Sequence, residues 1–308
     1  MRAVTLDALG AAPGLRDDLP APTLGAGEVL VRVRASSVNP ADVGIAAGVM
    51  KDMVEHKFPV TLGRDFAGTV AQVGDGVTSV AVGDEAFGLV PAMAPAVHDG
   101  AWAELIAVSE AVLAERPVAV DLAVAGAAPL TAVTAVMAVD AAAPGAGEVV
   151  LVVGATGGVG SIAVQLAIAA GAAVIAPALP EDEDYLRGLG VSEVVARDGD
   201  VAAAVRDRFP DGVDVLIDVA TFTPGAFDAA LKDGARVASA TNSAGEGPGR
   251  SNVISMASPE ILGRIVGLLA DGTVTVPIAE TYELADAPRA LRDLAANHTR
   301  GKLAVRIS

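Results

Sequence analysis

A run of apolar residues, Val149-Val-Leu-Val-Val153, passes without a break into Gly154-Ala155-Thr156-Gly157-Gly158-Val159-Gly160 and then into an alanine-rich stretch. No continuous helix would choose such a cluster, since each interior glycine costs about 1 kcal/mol relative to alanine. The order strand, tight turn, helix is what a dinucleotide fingerprint requires. Gly157 would let the backbone approach a pyrophosphate and Gly160 would let helix and strand pack closely. The helix N-terminus would offer oriented N–H groups to the anion. The first glycine of the pattern is replaced by Ala155.

Repeated β/α texture surrounds this turn. Strands are expected at Val149 to Val153, Ala173 to Ala176, Glu193 to Ala196, Val213 to Val219 and Ala235 to Ala240. Helices are expected at Gly158 to Ala170, Glu181 to Leu189, Val201 to Phe209, Pro224 to Lys232 and Pro259 to Leu269. Near-continuous apolar strands alternating with helices predict a doubly wound parallel sheet covered on both faces. After the last helix come Val274 to Pro277 and a closing strand, Leu303 to Ile307, positioned to return to the first domain. The first 115 residues read differently: short β-branched runs such as Val29 to Val33, Gly68 to Val73 and Ala86 to Val90 are separated by turn residues, which predicts an irregular, mostly β domain.

The 308 residues carry 21 Lys+Arg against 38 Asp+Glu, a net charge of −17. That balance repels phosphate backbones and anionic lipid surfaces, so neither nucleic acid nor a membrane is an expected partner. Cysteine is absent, which removes thiolate nucleophiles, disulfides and Cys-ligated metals and suits a reducing compartment. The long uncharged stretch Leu122 to Val139 is interrupted by Gly126, Pro129, Thr131 and Thr134 and flanked by Asp121 and Asp140, a poor membrane helix. No signal-peptide pattern opens the chain, and a cytoplasmic location is expected.

Several further motifs carry a family likeness. Ser36-Ser-Val-Asn39-Pro40-Ala-Asp42, Gly63-Arg-Asp65-Phe66-Ala67-Gly68, Val82-Gly83-Asp84, Gly100-Ala-Trp102-Ala-Glu104, Pro129-Leu-Thr131-Ala-Val-Thr134, the glycine turn, Thr241-Asn242-Ser243-Ala-Gly245 and Thr299-Arg-Gly301-Lys302 follow in order along the chain. In this pattern the sequence resembles the zinc-independent quinone oxidoreductases of the medium-chain dehydrogenase/reductase superfamily, relatives of zeta-crystallin.

The resemblance implies an α/β protein: a GroES-like β-rich catalytic domain (residues 1–120 and 271–308), interrupted by a Rossmann domain (121–270), with the active site in the cleft between them. It also implies a homodimer formed through sheet edges near residues 235–260. Zinc-dependent relatives place a Cys near the Asn39 region and Gly-His-Glu where this chain reads Gly63-Arg64-Asp65, so no metal is expected. The three histidines, at 56, 98 and 298, do not restore a ligand set.

The likeness assigns roles by position. Asn39 and Thr134 would be the catalytic residues, lying at the nicotinamide. Ala155, Gly157, Gly158, Val159 and Gly160 would hold the pyrophosphate. Arg197 is a candidate partner for a 2′-phosphate, Asn242 and Ser243 would lie beside the nicotinamide, and Lys302 near the cofactor at the closing strand. Two positions that are aromatic in some relatives' quinone pockets fall on Gly44 and Met50. NADPH is the expected cofactor, yet Pro180-Glu181-Asp182-Glu183-Asp184 follows the second Rossmann strand and leaves NADH open, because carboxylates beside a 2′-phosphate repel it. The same carboxylates also suit a helix N-terminus.

The expected activity is hydride transfer from a reduced nicotinamide to a quinone or related conjugated carbonyl. Reduction of an enoyl thioester or enone, and nucleotide binding without turnover, are the alternatives. Asp42 reads as a loop-structuring residue and Asp65 as a buried partner of Arg64 rather than a catalytic acid.

Overall fold

Between Glu28 and Val38 the side chains of Val29, Val31 and Val33 are buried while Arg32 and Arg34 face solvent, the alternation of a strand with one wet face. The computed structural model describes residues 1–92, 96–296 and 298–308. In chain order the first strands are β1 (Ala3–Leu6), β2 (Gly14–Arg16), β3 (Glu28–Val38), β4 (Val60–Thr61), β5 (Asp65–Val73), β6 (Glu85–Leu89), β7 (Leu105–Ser109) and β8 (Leu113–Glu115). Helix α1 (Pro40–Ala47) follows β3, and α2 (Leu122–Ala127) and α3 (Pro129–Ala142) follow β8. β3 continues well past the expected Val33 because Ser36 and Ser37, wholly buried, pair their hydroxyls with the Asp65 carbonyl and carboxylate. Buried serines with such partners are stable in a sheet, but they do not register as an apolar run.

The β/α half contains β9 (Val149–Val153), α4 (Gly158–Ala169), β10 (Ala173–Ala178), α5 (Glu183–Gly188), β11 (Glu193–Ala196), α6 (Val201–Arg208), β12 (Val213–Asp218), β13 (Leu231–Ser239) and β14 (Arg250–Asn252). All strands are parallel, in the spatial order β11-β10-β9-β12-β13-β14. That is the doubly wound order, with its switch point between β9 and β12. Leu151, Ile175, Leu216 and Val237 form the middle of its core. Each such side chain contributes roughly 1.5–3 kcal/mol by leaving water. The expected helix over 224–232 is absent: the segment is a series of turns with one 3-10 turn at Asp228–Ala230, and β13 already begins at Leu231. Leu231 pairs with Val213, and this ladder outweighs the local helix preference.

The chain then forms α7 (Pro259–Ala270), β15 (Ile278–Glu283), α8 (Ala287–Ala296) and β16 (Lys302–Arg306). Val274 to Pro277 is not a strand; extended pairing starts one residue later, at Ile278. β16 pairs antiparallel with β3, Leu303 opposite Val38, so the closing strand does return to the first sheet. That sheet runs β15-β16-β3-β5-β6-β8, with β7 also on β3. Trp102, Phe66, Val31 and Val305 lie in its core.

Two compact units result, Met1–Leu130 with Ala257–Ala270 and Pro277–Ser308, and Thr131–Met256 with Asp271–Val276. The division differs from 120 and 271 because α2 packs on β3 and β5 and α7 packs on β8. Gly126 of α2 lies so close to Ala35 of β3 that a Cβ there would come within 2.6 Å of it. Among the described residues no helix is long and apolar enough to cross a membrane.

Candidate functional site

In the β/α unit, the glycine turn sits at the carboxyl end of β9, beside the switch point where open α/β sheets bind ligands. Gly157 is the N-cap of α4. A Cβ built on Gly160 would lie 2.1 Å from the Gly154 carbonyl oxygen, whereas one on Gly157 would meet only that oxygen at 3.6 Å. The two glycines therefore differ. Gly160 is demanded by packing within the protein, and Gly157 keeps a space that the protein itself does not fill. Ala155 and Gly160 are buried, while Gly157, Gly158 and Val159 are half-buried. The residues fit a pyrophosphate approached by backbone N–H groups.

Neighbouring strand ends carry the other expected residues of this unit, except Thr134, which lies on α3. Arg197 follows β11, and its N–H donates to the Ala178 carbonyl at the end of β10. Its guanidinium is exposed, with Asp198 3.8 Å away. The acidic segment is not uniformly exposed: Pro180–Asp182 is a 3-10 turn, Asp182 is buried, and Glu181, Glu183 and Asp184 face solvent. Thr134 is 4% exposed and pairs its hydroxyl with Ser255 at 2.5 Å. Asn242 is exposed and adopts φ 61°. Ser243 turns inward instead, exchanging hydrogen bonds with Ser239 and Thr241 and donating to Asp218 at 3.0 Å. Asp218, which sequence reasoning passed over, ends β12 and also accepts from the Ala220 and Thr221 N–H groups.

In the β-rich unit, Asn39 is wholly buried and lies among charges. Its Oδ1 accepts from Lys302 Nζ at 2.5 Å, and its Nδ2 donates to Asp65 Oδ2 at 2.8 Å and, at 3.4 Å, to Ser37 Oγ. Its backbone N–H donates to Asp42 Oδ2, and Asp42 Oδ1 accepts from the Gly63 N–H. Asp42 thus structures the start of α1, as expected. The expected Arg64–Asp65 pair does not form. Arg64 instead directs its Nη atoms to the Thr61, Pro91 and Asp99 carbonyls, with Asp42 3.9 Å from its Nε. Asp65 is paired with Lys302, 3.6 Å away. Arg64 precedes β5 and turns to the carbonyls of neighbouring loops, whereas Asp65 opens the strand and faces Lys302, so neighbours in sequence take different partners.

Burial shapes the titration of this cluster. The Asp42 carboxyl is pushed up to about 6 by loss of solvent, against the opposing pull of Arg64. The Lys302 ammonium is pushed down by burial, partly offset by Asp65 and Asp42. Trp102 packs over Gly63 and donates its indole N–H to the Ser37 carbonyl at 3.0 Å; with φ +90° and Trp102 Cδ1 2.3 Å from where a Cβ would stand, position 63 takes only glycine. Among the described residues no group of three or more His, Cys, Asp or Glu is placed to hold a metal ion.

Two family signatures match the chain: "Alcohol dehydrogenase GroES-like domain" over residues 25–118 and "Zinc-binding dehydrogenase" over residues 189–305. Among solved structures, the quinone oxidoreductase from Coxiella burnetii is similar with a TM-score of 0.88 and 26% identity, covering 100% of this chain and 99% of that one. An NAD-dependent alcohol dehydrogenase gives 0.87 and 30% identity with full coverage of both chains, 100% of each. The CurK enoyl reductase gives 0.85 and 25%, covering 100% of this chain and 99% of that one. In sequence, the chain is 29% identical to the chloroplast envelope quinone oxidoreductase homologue of Arabidopsis thaliana, covering 96% of this chain and 95% of that protein. It is 34% identical to the phthioceranic/hydroxyphthioceranic acid synthase of Mycobacterium tuberculosis over 92% of this chain, but spans only 14% of that protein's length.

Proposed function

Since the chain belongs to the quinone oxidoreductase-like family of the medium-chain dehydrogenases/reductases, we propose that it is an NAD(P)H-dependent oxidoreductase whose acceptor is a quinone or a related conjugated carbonyl. The observation that carries the cofactor half of this reading is the space kept at Gly157 at the switch point of a sheet in doubly wound order. Ala155, Gly157, Gly158, Val159 and Gly160 would hold the pyrophosphate, Arg197 a 2′-phosphate, and Asn39, Thr134 and Asn242 the nicotinamide end. When bound, the reduced nicotinamide supplies a hydride.

The chain's own residues have limited work in such a reaction. Backbone N–H groups at the start of α4 bind and orient an anion. Asn39 offers an uncharged N–H donor inside a site shielded from water, where a developing oxyanion is stabilised more strongly than in solvent. The second Nδ2 hydrogen, which among the described residues makes only the long 3.4 Å contact with Ser37, is the one to be redirected to that task. Arg197, exposed at the ends of β10 and β11, supports NADPH over NADH, while the exposed Glu181, Glu183 and Asp184 oppose it.

The test is oxidation of NADPH and NADH in parallel with 1,4-benzoquinone, 9,10-phenanthrenequinone and a 2-enone. Turnover with a quinone and preference for NADPH are expected. Turnover confined to the enone would favour enone or enoyl reduction, the reading supported by likeness to the CurK enoyl reductase. Cofactor binding without oxidation by any acceptor would replace the enzyme by a nucleotide-binding protein.

A further inference from the structure

The Asn39 carboxamide has a donor-only group at one end and an acceptor-only group at the other. An ammonium offers three N–H donors and no acceptor, and an ionised carboxylate only accepts. With Lys302 Nζ on Oδ1 and Asp65 Oδ2 on Nδ2, only one of the two amide orientations is satisfied. The reversed amide would set its oxygen against a carboxylate and its NH2 against an ammonium, inside a region where neither is screened by water.

The two charges are themselves held from several directions. Lys302 Nζ also donates to the Val38 carbonyl at 2.9 Å. Asp65 accepts from Ser37 Oγ and, at its other oxygen, from the Leu130 N–H at 2.6 Å. Lys302 is 4% exposed and Asp65 and Asn39 are 0% exposed. They come from the facing ends of β16, β3 and β5, which are neighbours in one sheet. Burying an ion pair gains little stability over apolar side chains of similar size, because desolvation offsets the attraction. The pair's distinctive effect here is directional.

We propose that Lys302 and Asp65 are positioning residues that lock the Asn39 carboxamide in one orientation, and that Lys302 acts through this amide and not by contact with the cofactor. The proposal rests on the reading of Asn39 as a donor at the reaction site. One amide N–H is fixed on Asp65, and the other is thereby aimed in a constant direction.

The test uses the full chain and four variants: Lys302→Met, Lys302→Arg, Asp65→Asn, and the double variant Lys302→Met/Asp65→Asn. The double variant removes both charges of the Lys302–Asp65 pair together and keeps the test open should a single one fail to fold, which thermal unfolding reports. NADPH affinity, read by fluorescence titration, is expected to stay within about threefold of the parent in the double variant. Its kcat for a quinone is expected to fall about 10- to 100-fold at nearly constant KM, the scale of one misplaced donor, with recovery in Lys302→Arg. A loss of NADPH affinity beyond about tenfold would make Lys302 a cofactor ligand. A folded double variant with parental kcat would make the cluster merely structural, and either result overturns the proposal.

If the parent protein turns over no acceptor, the functional reading fails and the lock is judged by NMR alone. The side-chain NH2 signal of Asn39, assigned by its disappearance in Asn39→Leu, should exchange slowly with solvent in the parent and faster in the double variant. Equal exchange in the two would refute the lock.

Discussion

Asp42 accepts from the Asn39 and Gly63 N–H groups, yet burial holds its carboxyl near a pKa of about 6, above its ordinary value of 3.8. The folded state therefore holds this proton more tightly than the unfolded chain does. Stability associated with the group is fully present below the unfolded value and is lost as pH rises through the folded value, the reverse of a salt-bridged carboxylate. At about 1.4 kcal/mol per unit, an Asp42→Asn variant should gain about 2 kcal/mol on the parent protein between about pH 4.5 and about pH 7. Urea unfolding of both proteins at the two pH values measures this, and a pH-independent difference between them would contradict it. None of this was legible from Asp42 in the sequence, where an acidic residue after Asn-Pro reads simply as a turn or cap. What decides its titration is burial by the folded chain, which the Arg64 charge and the Gly63 N–H, about twenty residues downstream on another segment, only partly offset.

The glycine turn and α4 separate a requirement of the fold from a requirement of the ligand. Gly160→Ala places a methyl 2.1 Å from the Gly154 carbonyl oxygen, so helix and strand must part. A loss of about 1–3 kcal/mol or more is expected, seen as a lower melting temperature. Gly157 has φ −78° and only the 3.6 Å contact, so Gly157→Ala should melt with the parent protein. On the proposed placement its NADPH affinity should nonetheless fall about tenfold or more, because a methyl would occupy the direction from which the pyrophosphate would approach. Parental affinity in Gly157→Ala, measured by fluorescence titration, would move the pyrophosphate elsewhere. This element was legible because every level of its sequence agrees: apolar run, glycine turn, helix former. The segment 224–232 misled because Pro-Gly followed by Asp, Ala and Leu resembles a helix start, while its fate is set by Leu231 pairing with Val213. The Lys302–Asn39–Asp65 cluster was half legible. The motifs brought each residue to attention, but their pairing joins positions up to 263 residues apart and needs the register of three strands.

For the whole molecule, the formal charge of −17 acts against an anionic cofactor before any contact is made. The attraction from the N-terminus of α4 and from exposed Arg197 is local, while the repulsion from the acidic remainder extends over a Debye length. That length shrinks from about 30 Å at 0.01 M salt to about 10 Å at 0.1 M, so added salt removes the repulsion first. The association rate of a reduced nicotinamide cofactor should therefore rise with ionic strength over this range, by about two- to fivefold, opposite to a protein that steers its ligand with a basic surface. NADPH carries up to about two more negative charges than NADH in its 2′-phosphate, so its rate should respond more steeply. Stopped-flow fluorescence with both cofactors across a sodium chloride series reads the two slopes. A falling rate would place a net positive field at the entrance. Equal slopes for NADPH and NADH would mean that the 2′-phosphate approaches Arg197 without sensing Glu181, Glu183 and Asp184, and those carboxylates would then cease to bear on cofactor choice.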